Sequence, residues 1–197
     1  MITSVVNQKV SKQALINKND KSLFSFLTDY KSTIINSSTS ILQPSLQLKS
    51  RISTKGKIKF CNSDFCHATK TNSNTILDKH ITSVFHPEMP KVILNIVKEK
   101  LENKEEALAI IKQIDSSGKT IWLNSQFSPN STNKLNIACH LKSNPSSKST
   151  INKIDKIYNT IFLLENHVSY SIAKKYFEGL LEMEYGNYEG FIINAFQ

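Results

Sequence analysis

Two short glycine turns constrain this chain more than any other feature. Lys55-Gly56-Lys57 separates LQLKSRIST from IKFCN, and Ser116-Ser117-Gly118-Lys119 separates ALAIIKQID from KTIWLNSQFS. Glycine takes positive φ without a Cβ clash, so each turn folds the chain back on itself. Each therefore predicts a β-hairpin, and hairpins make antiparallel neighbours. LQLKSRIST alternates apolar and polar residues, as a half-buried strand does. A fifth strand run, KLNIACHLK, follows the turn cluster SPNSTN.

Between the hairpins the pattern changes. SDFCHATKTNSNTILDKHITSVF has short apolar clusters and many cap-forming residues, which predicts short helices and loops. PKVILNIVKEKLENKEE predicts one longer helix, with Pro90 in its first turn and Val92, Ile93, Ile96, Val97 and Leu101 on one face. Strand, strand, helices, strand, strand, strand is the order of an α+β fold. A five-stranded antiparallel sheet with helices packed on one face satisfies it.

Three segments separate on composition: an N-terminal helical extension over 1–45, a sheet-bearing domain over 46–142, and a C-terminal helical segment over 151–197. In the first, Leu23, Phe26, Leu27, Tyr30 and Ile34 step by three and four along one helix face, with Asp20 or Ser22 as cap. SNPSSKST reads as a polar linker to the last segment. There Ile154, Ile157, Ile161 and Leu164 mark one amphipathic helix, and Ile172, Tyr176, Leu180 and Met183 mark another. A short apolar run, GNYEGFIINAF, closes the chain. These apolar faces need a partner, either the sheet or a second subunit.

A hydrophobic fraction of 39% with 21% charged residues belongs to a globular chain. No apolar run approaches the ~20 residues that cross a bilayer, and the first twenty residues carry no signal-type apolar core. The expectation is a cytoplasmic protein away from membranes. The net charge is +9, with the basic excess before residue 143. Its lysines are scattered and Arg51 is the one arginine, which argues against nucleic acid as the partner and keeps a basic nucleic-acid-associated regulator as the last alternative. Cys61, Cys66 and Cys139 are too few for a disulfide framework. Cys61, Cys66 and His67 lack a fourth ligand at zinc spacing, so no metal site is expected. His67, His80, His140 and His167 read as surface or satisfied core residues. Without a phosphate loop, a GxSxG elbow or an HExxH helix, the chain is not expected to be an enzyme, and no catalytic residue is assigned.

Three stretches resemble the PAS family. KGKIKFCNSDFC is similar to its opening hairpin and first helix. FHPEMPKVIL is similar to the His-Pro-Glu-Met-Pro motif of the subgroup that includes the bacterial aerotaxis receptor. SSGKTIWLNSQFSP is similar to its glycine turn and Trp-bearing strand. Together they lie within about half of the chain. The resemblance implies a PAS-like signalling protein that senses a small ligand or relays a signal through protein–protein contact. A ligand-free adaptor or dimerisation module is the alternative. Family members bind flavin, haem or small metabolites between sheet and helices, and some bind nothing. In the aerotaxis subgroup the cofactor is FAD, so flavin is the first candidate here and haem the second. Asn62 and His86 match family positions. Phe85, Ala107, Ile114 and Asp115 depart from the subgroup, replacing cationic or aromatic residues. The candidate ligand contacts are Asn62, Phe65, His86 and Met89 around the helices, and Ile111, Gln113, Trp122 and Asn124 on the strands. The expected partner is a second copy or a larger signalling protein.

Overall fold

A computed structural model describes residues 24–28, 38–131 and 136–196. Five strands form one antiparallel sheet: β1 (Leu48–Ser53), β2 (Ile58–Cys61), β3 (Ala107–Ile114), β4 (Thr120–Pro129) and β5 (Ile137–Pro145). Their spatial order is β2-β1-β5-β4-β3. Both glycine turns form as expected, with Gly56 and Gly118 at φ 73° and 80°. The sheet is closed by β5, which inserts between β1 and β4 and so joins the two hairpins.

The chain leaves the sheet at one edge, β2, and returns at the other, β3. It crosses through α1 (Ser63–Thr69), α2 (Ser73–Ile76), a 3-10 turn (Ile81–Val84) and α3 (Lys91–Glu102). Asn62 and Asn72 start α1 and α2, each accepting a hydrogen bond from the amide three residues on. Helix α1 packs on β1, and α3 packs on β3 and β4. The apolar face of α3 is the expected one, with Val92, Ile93, Val97 and Leu101 buried. Phe24 and Leu27, in and beside a 3-10 turn at Ser25–Leu27, join the same core. The rest of the helix expected from Leu23 to Ile34 lies outside the described residues.

The polar run expected as a linker is instead the end of β5 and the start of α4 (Lys148–His167). Ser147 caps that helix, its hydroxyl accepting from the Thr150 amide at 3.0 Å. Helices α5 (Tyr170–Leu180) and α6 (Tyr188–Phe196) follow, joined by a π-helical turn at Leu181–Tyr185. Tyr158 of α4 lies over Trp122 of β4, ring centroids 5.6 Å apart. Helix α4 therefore lies on the β3–β4 half of the sheet face turned away from α1 and α3, while α5 packs beside α3. The β1–β2 half of that outer face stays open, with Lys49, Arg51 and Phe60 exposed.

Candidate functional site

Strand register sorts the candidate side chains by face, because directly paired residues in an antiparallel sheet point the same way. Gln113 pairs with Ile121, Ile111 with Leu123, Ala109 with Ser125 and Ala107 with Phe127. Ser125 continues to Ser143, and Phe127 to Leu141 and then Ser50. These side chains form the inner face, under α1 and α3, and all are buried. Lys112 pairs with Trp122 and Ile110 with Asn124 on the outer face.

The inner face is apolar apart from a few polar groups. Ser125 and Ser143 satisfy each other, hydroxyl to hydroxyl at 2.8 Å. Gln113 does not: it has no exposed surface, and neither its amide oxygen nor its amide nitrogen has a hydrogen-bond partner. The Ser50 hydroxyl is also buried and unpartnered. A buried amide left unpaired is costly, and such groups are uncommon. Alternation places Ser50 on the face of Leu48 and Ile52, but its polar side chain was not singled out in the sequence.

The other candidates divide. Phe65 and Ile111 lie buried with Gln113 in the common core. At the Gln113 end of the strand, the Ser116 amide donates to the Thr69 carbonyl at 3.0 Å, fastening α1 to the β3–β4 turn. Asp115 is buried there and ion-paired to Lys70 at 2.7 Å. Burial would raise its pKa, but Lys70 and the Ser117 and Lys119 donors outweigh that and hold it down at about 2. Asn62 ties α1 to β1: its side-chain oxygen accepts from the Phe65 and Lys49 amides, and its amide donates to the Gln47 carbonyl at 2.7 Å.

His86 and Met89 belong to a loop that seals the free edge of β3. The His86 amide donates to the Lys112 carbonyl at 2.9 Å, and the Met89 sulfur accepts from the Lys112 amide at 3.3 Å. The ring Nδ1 of His86 accepts from the Glu88 amide. Burial first, then the nearby Lys112 ammonium, pushes the imidazole down to about 4, against a smaller upward pull from Glu88. Lys112 is itself buried, paired with Glu88 at 2.8 Å and set over the Trp122 ring. The prolines thus hold a loop whose polar groups are spent on the sheet edge.

Trp122 and Asn124 are on the outer face, apart from Gln113. Asn124 accepts from the Ser146 hydroxyl at 2.6 Å, beside the start of α4. Farther along the β3 edge, Tyr158 donates to the Ile110 carbonyl at 2.8 Å and Tyr188 to the Leu108 carbonyl at 3.0 Å. Burial raises both phenols well above their ordinary range, so they remain protonated donors. Strand β3 is therefore gripped from both sides: Gln113 looks into the inner core, and the carbonyls of Leu108 and Ile110 hold α6 and α4. A separate open cavity of about 610 Å³ lies at the far end of β4, floored by Phe24, Leu101 and Ala138 and rimmed by Glu102, Lys104 and Glu106. Cys61 and Cys66 are free thiols with sulfurs 3.7 Å apart. Among the described residues no three His, Cys, Asp or Glu side chains gather as a metal site.

No protein-family model matches the sequence, and no curated protein matches it. Solved structures do. The dark structure of the LOV domain of the blue-light photoreceptor Aureochrome1 is 14% identical with a TM-score of 0.49, covering 65% of this chain and 99% of that one. The PAS domain of a protein from Colwellia psychrerythraea is 15% identical with a TM-score of 0.45, covering 50% and 84%. The PAS domain of the fruit-fly ELK potassium channel is 17% identical with a TM-score of 0.42, covering 50% and 85%. With its β2-β1-β5-β4-β3 antiparallel sheet and its helices carried between β2 and β3, the chain has an α+β, PAS-like fold.

Proposed function

We propose that this chain is a signalling module that binds a small molecule between the inner sheet face and α1–α3, and that β3 passes the state of that cleft to the C-terminal helices. One observation carries the reading: the Gln113 amide is fully buried and unpaired on the strand whose outer edge holds Tyr158 and Tyr188. A primary amide offers a donor and an acceptor side by side. Its complement is a molecule with an adjacent acceptor and donor on an otherwise apolar body, such as an amide, a ureide or the edge of a flavin ring. A ligand biases a two-state packing only through unequal affinity for the two states, and a group unpaired in one state supplies that difference.

The test is release of the bound molecule. Purified full-length protein is scanned from 300 to 600 nm, then denatured, and the supernatant is analysed by mass spectrometry beside Gln113→Leu. We expect one small molecule released from the wild type and absent from the variant, with a visible band if it is a flavin or haem. Equal release from both, or none from either, contradicts the proposal. A second reading, the ligand-free adaptor, draws on Phe65, Met89 and Ile93, which fill the core with almost no exposed surface. An empty supernatant favours it.

A further inference from the structure

Helix α5 and the π-helical turn that continues it have two apolar faces, and the fold uses one. Ala173, Phe177 and Leu181 point into the core and are buried. Ile172, Tyr176 and Met183 lie on the other side, 44%, 39% and 86% exposed, with Leu180 half-buried beside them. This second stripe is the one marked by helical spacing in the sequence. A row of large apolar groups at steps of three and four is a helix-packing seam.

Two further features of the same side say what covers it. Gly179 sits in the helix with ordinary φ, and a Cβ built there meets nothing within 4 Å. The monomer thus has no steric use for a residue that weakens a helix, whereas a second helix crossing closely does. Lys175 in α5 and Glu182 in the π-helical turn that continues it are both exposed, about two turns apart on the side away from the buried Ala173 and Phe177. In an antiparallel pair of helices that side faces its own copy. Lys175 then meets the partner's Glu182, and Glu182 meets the partner's Lys175. Ile172 falls opposite the partner's Met183, and Tyr176 opposite the partner's Leu180. All three pairings centre within a turn of Gly179. A parallel pair would set lysine against lysine and glutamate against glutamate. Lys174 and Glu178 take no part, since they pair with each other at 3.8 Å on the side towards α3.

We propose that the chain forms a two-fold dimer by antiparallel packing of α5 on α5, with Gly179 near the axis and Lys175 against the partner's Glu182. The stripe is self-complementary in shape and charge, as a two-fold interface requires. This names the surface and the occupant for the second copy expected from the sequence. It leaves the cleft untouched, so the dimer and the Gln113 ligand can fail separately.

Sedimentation of the full chain over a micromolar-to-millimolar series tests it. The wild type is expected to pass from monomer to dimer. Lys175→Glu and Glu182→Lys each weaken association, by about tenfold, because each turns two attractive contacts into repulsive ones. Mixed in equal amounts, the two variants regain wild-type association, since the acidic helix then meets the basic one. Gly179→Leu, with helix content checked by circular dichroism, abolishes the dimer. A wild type that stays monomeric, charge variants that dimerise like the wild type, or a mixture no stronger than its components overturns the proposal.

Discussion

His86 is a neutral imidazole with no exposed surface, held at about 4 against an ordinary 6.5. Its folded pKa lies below its unfolded one, so the unfolded chain binds the extra proton. The stability this confers is complete above pH 6.5 and is lost as pH falls towards 4, by roughly 3 kcal/mol in all. Urea unfolding at a series of pH values is expected to show that slope. His86→Asn offers an oxygen near the Nδ1 position for the Glu88 amide and is expected to flatten it; an unchanged slope assigns the titration elsewhere. Asp115 works in the same direction at lower pH. Its contribution is present above pH 3.8 and lost as pH falls through about 2. Its Oδ1 accepts from the Ser117 amide, the Ser117 hydroxyl and the Lys119 amide. Asp115→Ala strands these donors, and we expect a loss of roughly 2 kcal/mol in the same unfolding assay. The sequence reading treated Asp115 as a departure from a basic position, but nothing local announced that Lys70, 45 residues earlier, would supply its charge partner.

At the scale of elements, the edge strand β3 organises the molecule. An exposed edge invites pairing with other chains, and here the Lys112 amide and carbonyl are taken by the 85–89 loop and the Ile110 and Leu108 carbonyls by two tyrosines. Tyr158→Phe leaves the Ile110 carbonyl without its donor in a buried site. The expected cost is about 1–2 kcal/mol, with faster hydrogen exchange in β3 than in β1; equal exchange in the two strands contradicts the role. Helix α3 shows a similar dependence. It starts after Pro90, which has no capping side chain, and Glu165 of α4 accepts from the Lys91 and Val92 amides at 3.0 and 2.7 Å. Glu165→Ala is expected to lower stability by about 1 kcal/mol, read from the thermal midpoint. The elements themselves were legible because their signals are local: glycine turns, alternation in β1, the 3.6-residue spacing of α3. The insertion of β5 between the hairpins, the cap from Glu165 and the tyrosine grips were not, because each joins residues far apart in sequence. Alternation likewise shows that Gln113 and Trp122 each lie on one face of a strand, but only pairing register reveals that the faces are opposite.

On the scale of the whole molecule, the sheet separates two environments and β3 belongs to both. Inside, Gln113 is fully buried beneath the helices, where filling or emptying one position shifts its neighbours. Outside, α4 and α6 hold the same strand through Tyr158 and Tyr188, while α5 carries the exposed Ile172 and Tyr176 of the proposed seam. The remaining outer face, with Lys49, Arg51 and Lys142, concentrates part of the basic excess on an open surface. The central claim is that the inner core around Gln113 and the C-terminal helices are coupled through β3. The most direct measurement is hydrogen exchange along β3 and α4, compared between protein as purified and protein unfolded, dialysed free of small molecules and refolded. The account predicts faster exchange in both elements after stripping, with β1 and β2 little changed. Identical exchange before and after, in protein shown to have refolded, would contradict it.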